Sequence, residues 1–209
     1  MLGAGFMTSH RGGLTIVETR GQQMRPWIDR LAELRIGVFR DFPYLYDGSL
    51  AYERDYLETY AAADSALAVL ALDGQRLVGA ATALALSDED RAFGEGLDQA
   101  GFERDQVYYF GESMVLPAYR GQGLGVAFIE HREAEARQQG KRFCAFCAVQ
   151  RPADHPLRPT DYQPLDAFWG KRGFQPAPGV VARMPWKDID QPGETEKTLQ
   201  FWTKEIAQQ

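Results

Sequence analysis

Cysteine is almost missing from this chain. Only Cys144 and Cys147 occur in 209 residues, too few for a disulfide-stapled secreted fold or a four-ligand zinc site, so a reducing, cytoplasmic setting and no metal are expected. Long apolar runs are missing too. No stretch approaches the roughly 18 residues of a membrane-spanning helix, and the opening MLGAGFMTSHRGG lacks the apolar core of a signal peptide. Basic charge is in deficit, with 23 Lys and Arg against 29 Asp and Glu for a net charge of −6. Such a balance repels phosphate backbones and anionic bilayers, which argues against nucleic acid or membrane as the partner. Repeats and low-complexity tracts are also lacking. What is present is 44% hydrophobic and 12% aromatic residues, enough for the core of one domain. Four glycines among the first thirteen residues suggest a flexible lead-in over 1–13, followed by a main domain over 14–189 and a helical extension over 190–209.

Leu14 to Arg20 (LTIVETR) has the β-branched content of a strand. Pro26 stands where helices tend to begin, ahead of Trp27, Leu31, Leu34 and Val38 at helical spacing, and that helix is expected to stop before Pro43. Ser49 is a candidate N-cap for a second helix reaching Ala62. Two apolar runs between Ser65 and Leu86 flank Asp73-Gly74, which supplies the positive φ of a tight hairpin turn. The stretch 88–105 carries seven acids against two bases and reads as a surface helix and loop. A fourth strand is predicted over 106–116, a helix over 124–139 ended by Gly140, and a fifth strand over 142–149. A stiff polar loop over 150–164, a short helix over 165–172 closed by Gly173, and a last strand over 180–186 follow. Thr195 reads as the N-cap of a terminal helix with Leu199, Trp202 and Ile206 on one face, to pack on the body or on a second subunit. This order predicts an α/β (α+β) fold, a mixed central sheet flanked by helices.

Residues 115–126 read VLPAYRGQGLGV. A strand ends, glycines remove the Cβ atoms that would block a close ligand, and a helix begins with unpaired N–H groups pointing outward. Such a turn is an anion site with phosphate as the natural guest. The spacing is not a dinucleotide fingerprint, because G-x-G-x-x-G counted from Gly121 ends on Val126 and counted from Gly123 ends on Phe128. No lysine follows as a P-loop requires. A turn that merely packs a helix on a sheet is the competing reading.

These residues carry a resemblance. Arg120-Gly121-Gln122-Gly123-Leu124-Gly125 matches the R/Q-x-x-G-x-G/A motif of the GCN5-related N-acetyltransferases (GNAT), behind the lead-in Val115-x-Pro117-x-Tyr119. Downstream, Phe168-Trp169-Gly170-Lys171-Arg172-Gly173-Phe174 resembles that family's later helix-Gly-Phe element, and the order of elements agrees from about Leu14 to Trp186. The resemblance implies a GNAT-like acyl-CoA N-acyltransferase fold with acetyl-CoA as co-substrate. It also implies that backbone groups from Arg120 through Gly121, Gln122, Gly123, Leu124 and Gly125 to Val126 cradle the CoA pyrophosphate. Backbone near Met114 and Val115 would pair with the pantetheine arm where the fourth and fifth strands splay apart.

Acetyl transfer to an amine is attack by a neutral nitrogen on a thioester, and an ammonium substrate needs a base. Period-two alternation puts Tyr108, Phe110, Glu112 and Met114 on one strand face, so Glu112 sits among apolar and aromatic neighbours and is the candidate base, directly or through water. The competing reading is a structural carboxylate paired with an arginine. Gly111 beside it lets the strand bulge. The family's usual acid is a tyrosine near the end of the helix before Gly-Phe; here Trp169 stands there, and Tyr162 in the stiff loop is the nearest replacement. His155 in that loop is a candidate substrate contact, with a solvated residue as the alternative. The resemblance places the acceptor wall on the first two helices and their connection, where Tyr44, Tyr46 and Asp47 suit an amine. Arg151 and Arg158 suit a carboxylate-bearing acceptor instead. Cys144 and Cys147, three apart in a strand, point to opposite faces and read as core residues rather than a redox pair.

The leading expectation is a cytoplasmic N-acetyltransferase acting on a primary amine of a small molecule, or of a peptide, by direct attack. A non-catalytic acyl-CoA-binding sensor, suggested by Trp169, is the alternative, and another kind of nucleotide-binding protein comes third. A homodimer is compatible with the family resemblance.

Overall fold

The computed structural model describes residues 8–207. Eight strands form one sheet in the order β1-β2-β3-β4-β5-β6-β8-β7. They are β1 (Thr8–Arg11), β2 (Leu14–Arg20), β3 (Leu67–Asp73), β4 (Arg76–Ala85), β5 (Val107–Val115), β6 (Phe143–Val149), β7 (Gln175–Lys187) and β8 (Glu194–Glu205). All neighbours run antiparallel except β5 and β6. The predicted hairpin is β3–β4, closed at Gly74 with φ 58°. A helix, α4 (Leu124–Gln138), makes the crossover between the parallel strands.

Helices cover both faces. On one side lie α1 (Ile28–Phe39), α2 (Leu50–Ala62) and α3 (Glu95–Gln99), and on the other α4 and α5 (Asp166–Gly170). The first face buries Leu31, Leu57, Tyr60, Leu70, Tyr109 and Phe201 in one cluster. The second buries Phe128, Tyr108, Phe110, Phe174 and Trp202 in two adjoining clusters. A 3-10 turn (Gly21–Trp27) holding Pro26 precedes α1, so the helix begins slightly later than the proline suggested. Ser49 caps α2, its side-chain oxygen accepting the Tyr52 N–H. No helix among the described residues is long and apolar enough to cross a membrane.

Two expectations are corrected. The C-terminal segment is not a helical extension: Glu194–Glu205 is a full strand inserted between β6 and β7. Read as a helix, Leu199 and Trp202 share a face, but they pack on opposite sides of the sheet. The unpaired edge of β6 decides the matter, since β8 matches it from Phe143↔Glu205 to Val149↔Leu199. The proline-bearing β7 then takes the outer edge, where missing N–H donors are tolerated. At the other end, the lead-in over 1–13 is not uniformly flexible. Thr8–Arg11 pairs with β2 through the turn at Gly12 and Gly13, both at positive φ, while residues 1–7 lie outside the described residues.

Candidate active site

A bulge in β5 sets the centre. Ala81 of β4 pairs with Ser113 and Ala83 with Phe110, so Thr82 alone faces both Gly111 and Glu112. Two residues against one shift the strand's alternation by one position. Tyr108 and Phe110 therefore pack toward α4, while Glu112 and Met114 turn to the α1/α2 face. The common face expected for these four residues is thus broken at Gly111. No side chain fits there, because a Cβ would run into the Tyr60 hydroxyl and lie 2.7 Å from Thr82 Oγ1.

Glu112 is buried and held by several donors. Its Oε1 accepts from Arg35 Nη1 and from the Tyr56 hydroxyl at 2.7 Å, and its Oε2 accepts from Thr82 Oγ1. Arg35, on α1, also donates through Nε to Glu53 and lies 4.3 Å from the Tyr56 ring centroid. Burial works against its charge, yet Glu112, Tyr56 and Glu53 around it hold its pKa above the ordinary value. From the opposite face Arg132 of α4 donates to the carbonyls of Thr82 at 3.2 Å and Glu112 at 3.1 Å, and to Ser113 Oγ at 2.7 Å. Desolvation pulls the Arg132 pKa down to about 10, which leaves it charged at neutral pH. Glu112 is therefore clamped between two guanidiniums, one on its carboxylate and one on its backbone.

β5 and β6 pair only at Val107↔Phe143, Tyr108↔Cys144 and Tyr109↔Ala145, then separate. Beyond that point residues 110–115 keep β4 on one edge and residues 146–149 keep β8, so the two facing edges are open. At the wide end the chain turns into α4, with Gly121 at φ 77° and Gly123, the N-cap, at φ 81°. Arg120 Nε bonds the Val115 carbonyl at 3.2 Å and Gln122 Nε2 bonds the Ala118 carbonyl at 3.3 Å, which ties the turn to its own strand end. Phe168 of α5 lies 3.1 Å from where a Cβ on Gly125 would sit. Val126 and Ala127 donate to the Gly123 carbonyl, while the N–H groups of 121–125 make no hydrogen bond among the described residues. A row of free donors at a helix N-terminus fits a pyrophosphate in number and in charge, and the wedge beside Met114 and Val115 fits an extended chain.

The α1–α2 connection forms the neighbouring wall. Tyr44 is half-buried between Phe39 (ring centroids 4.6 Å) and Trp186 (6.1 Å). Burial raises its pKa, with Cys147 and Glu112 adding to the effect. Tyr162 stands edge-on to Phe42 at 4.7 Å, beneath the Arg158 guanidinium at 4.9 Å. His155 lies 5.8 Å from Phe42, and its Nδ1 accepts the Leu157 N–H at 3.2 Å. These residues join the 150–164 loop to the α1–α2 connection. Arg151 is not free to meet an acceptor, contrary to expectation. It is part-buried and bonds Asp188 together with the carbonyls of Pro43 and Tyr44. Asp47 is likewise paired, at the surface, with Lys187 at 2.8 Å and Arg40 at 3.5 Å. The Tyr46 ring covers Gly48, and its backbone bridges to Asp188. Trp169 packs against Phe146 at 4.9 Å and Trp202 at 5.1 Å, on the α4 side of the sheet.

Sequence reasoning missed Arg35, Tyr56, Tyr60 and Glu89. One signal was available: Glu53, Tyr56 and Tyr60 recur at i, i+3 and i+7, a polar stripe on the sheet-facing side of α2. Glu89, in the segment after β4, had none. It is half-buried, and desolvation raises its pKa, with Glu112 among the charges that push it further. Cys144 and Cys147 do point to opposite faces, and Cys147 Sγ lies 3.2 Å from the Tyr109 hydroxyl.

The model of the acetyltransferase (GNAT) family matches residues 31–159. Among solved structures, the chain is similar to an acetyltransferase from Salmonella typhimurium with its cofactor acetyl-CoA, at 15% identity over 94% of this chain and 95% of that one, with a TM-score of 0.56. It is similar to an aminoglycoside 6'-N-acetyltransferase complexed with coenzyme A, at 16% identity over 92% and 98%, with a TM-score of 0.58. A ribosomal-protein-alanine N-acetyltransferase from Brucella melitensis gives 15% identity over 90% and 99%, with a TM-score of 0.57. At such identities the likeness establishes the fold. No curated protein sequence matches the chain. With the family match spanning more than half its length, on a sheet that opens beside a glycine turn, the chain belongs to the GNAT acetyltransferase family.

Proposed function

We propose that this chain transfers an acetyl group from acetyl-CoA to a primary amine of a small molecule by direct attack, with a peptide amine as the variant, in a reducing cytoplasm. The observation that carries the reading is the wedge between β5 and β6, which has a glycine turn with free N–H groups at one end and Glu112 beside the other. Acetyl-CoA supplies the activated acetyl group as a thioester. Residues 121–125 hold the pyrophosphate through their N–H groups, and the open edge at Met114 and Val115 holds the pantetheine chain. Glu112 receives the amine proton, which requires the Tyr56 hydroxyl to turn away from Oε1. Phe42, Tyr44 and Tyr162 flank the entry with aromatic faces suited to an alkylammonium. Tyr162 serves as proton donor to the departing sulfur.

Acetyl-CoA consumption across a panel of amines tests this, beside thermal stabilisation by CoA but not by ATP or NAD. Amine-dependent release of CoA is the expected result. Stabilisation by CoA with no amine turned over would instead favour a CoA-binding sensor. The second reading rests on Trp169, whose indole is packed against Phe146 and Trp202 where the family commonly has a tyrosine hydroxyl.

A further inference from the structure

Arg151 and Arg158 belong to the same loop, but only Arg151 is committed to a carboxylate, that of Asp188. The Arg158 guanidinium is half-buried and lies over two rings, Tyr162 at 4.9 Å and Phe42 at 5.8 Å. Among the described residues it forms no ion pair and its side chain makes no hydrogen bond, although Asp154, Asp161 and Asp166 stand near it in sequence. A guanidinium so placed has lost part of its water without gaining an anion. The loop around it is tied down at several points. Arg151 bonds the Pro43 and Tyr44 carbonyls, and the Leu157 N–H donates to His155 Nδ1 at 3.2 Å. The Arg158 N–H donates to the His155 carbonyl at 2.9 Å, and the Tyr162 N–H to the Pro159 carbonyl at 3.1 Å. The cation is therefore presented from a set backbone, which lowers the ordering cost of binding an anion.

Arg158 stands on the acceptor side of the site. Its loop continues directly from residues 146–149, the β6 edge of the open wedge. On the other side, contacts run from Glu112 to Arg35, from Arg35 to the Phe39 ring at 5.2 Å, and from Phe39 to Tyr44 at 4.6 Å. Phe42, in the same connection as Tyr44, lies under Arg158. The wall thus has the Glu112 carboxylate toward one end and an uncommitted guanidinium at the other. We infer that the amine acceptor carries a carboxylate, which Arg158 holds while the amine faces Glu112. The inference rests on the acetyltransferase reading and narrows its acceptor to an amino-acid-like small molecule. The planar fork of N–H donors on arginine matches the two oxygens of a carboxylate. The same charge repels a second cationic group on the acceptor, so a polyamine is disfavoured. Arg158 binds and orients, and it takes no part in proton transfer.

Three primary amines of equal length, compared over a range of chain lengths, test this: an ω-amino acid, an n-alkylamine and an α,ω-diamine. Their far ends are negative, neutral and positive, while their reacting amines have similar basicity. In the wild type kcat/KM should fall in that order, with the amino acid ahead of the alkylamine by about tenfold or more at low salt. The gap should shrink as salt is raised. In Arg158→Met it should close through the KM of the amino acid, and Arg158→Lys should restore only part of it. Equal kcat/KM for amino acid and alkylamine at every length overturns the inference, as does a gap that survives in Arg158→Met. A loss that falls on the KM of acetyl-CoA overturns it too, since the guanidinium then serves the CoA phosphates. Calorimetry with the ω-amino acids, with and without CoA, gives a second readout that needs no turnover. Binding that is lost in Arg158→Met, in a protein that acetylates none of the three amines, counts against the acetyltransferase reading and leaves the carboxylate site standing. Neither binding nor turnover of any amino acid overturns the site itself.

Discussion

Arg151 and Asp188 form a two-pronged ion pair, Nη1 to Oδ2 at 2.7 Å and Nη2 to Oδ1 at 2.9 Å, with side chains 8% and 5% exposed. The same guanidinium reaches the Pro43 carbonyl at 2.8 Å and the Tyr44 carbonyl at 2.7 Å. It thereby ties the proline-rich loop after β6, the α1–α2 connection and the end of β7 into one wall. The planar fork of arginine suits this, and a lysine offers no equivalent set of directed donors.

Arg151→Met should destabilise the fold by about 3–5 kcal/mol, because it leaves a buried carboxylate whose remaining cation is Lys197 at 3.4 Å. Urea denaturation measures the loss. CoA affinity should be unaffected, since the turn at 120–126 is built from other residues, whereas the KM for the acceptor amine should rise as the wall loosens.

Acid should weaken the same pair in a defined direction. Burial favours the neutral form of Asp188, but its hydrogen bonds and charge interaction with Arg151, helped by Lys197, hold the folded-state pKa below the ordinary value. A lowered folded pKa contributes stability that is whole above the unfolded value of about 4 and is lost as pH falls through the folded one. The difference in urea midpoint between wild type and Asp188→Asn should therefore be largest near neutral pH and narrow below about pH 4. A gap that widens on acidification would contradict the assignment.

The two glycines at positive φ in the turn proposed to bind CoA should respond unequally to alanine. Either substitution forces a Cβ into the left-handed region at a cost of about 1–2 kcal/mol. A Cβ on Gly121 meets nothing within 4 Å, but one on Gly123 comes within 3.0 Å of the Arg11 side chain. CoA binding by calorimetry should fall for both variants and further for Gly123→Ala.

Glu112→Gln should lower kcat at neutral pH by about a hundredfold and flatten its rise with pH, as expected when a base is removed. Tyr162→Phe should lower kcat with little change in either KM if the hydroxyl is the proposed proton donor to the departing sulfur. Steady-state profiles with a good amine substrate decide both. Unchanged kinetics for either variant would remove that residue from the mechanism.

The two cysteines should be silent toward alkylation at neutral pH. Desolvation pushes both thiols up to about 12, and the thiolate is the reactive form. Iodoacetamide labelling followed by mass spectrometry should find both free in the folded protein at pH 7.5 and both modified in urea.

Much of this was legible in the sequence for local reasons. The Asp73-Gly74 turn, the Ser49 cap and the glycine turn ahead of α4 each carry their conformation in a few adjacent residues. β8 was misread because Leu199, Trp202 and Ile206 fit a helical stripe as well as a strand. The demand of the β6 edge for a partner is a fact about distant residues. Glu112 was found as a candidate but placed on the wrong side of its strand, since alternation assumes an unbroken ladder and the bulge opposite Thr82 breaks it. Asp47 and Arg151 looked available for an acceptor because a sequence does not show which charges are already paired.

By itself the sequence determined the family resemblance: a glycine turn at 120–126, a strand leading into it, and a carboxylate a short way upstream, all carried by residues close together in the chain. Only the tertiary structure decided that this carboxylate is clamped, and by which side chains. Arg35 of α1, Tyr56 and Tyr60 of α2 and Arg132 of α4 converge on one bulge from distant positions and both faces of the sheet. Such convergence follows from which side of β5 each residue faces, and a one-residue bulge, marked locally by nothing more than Gly111, changes that.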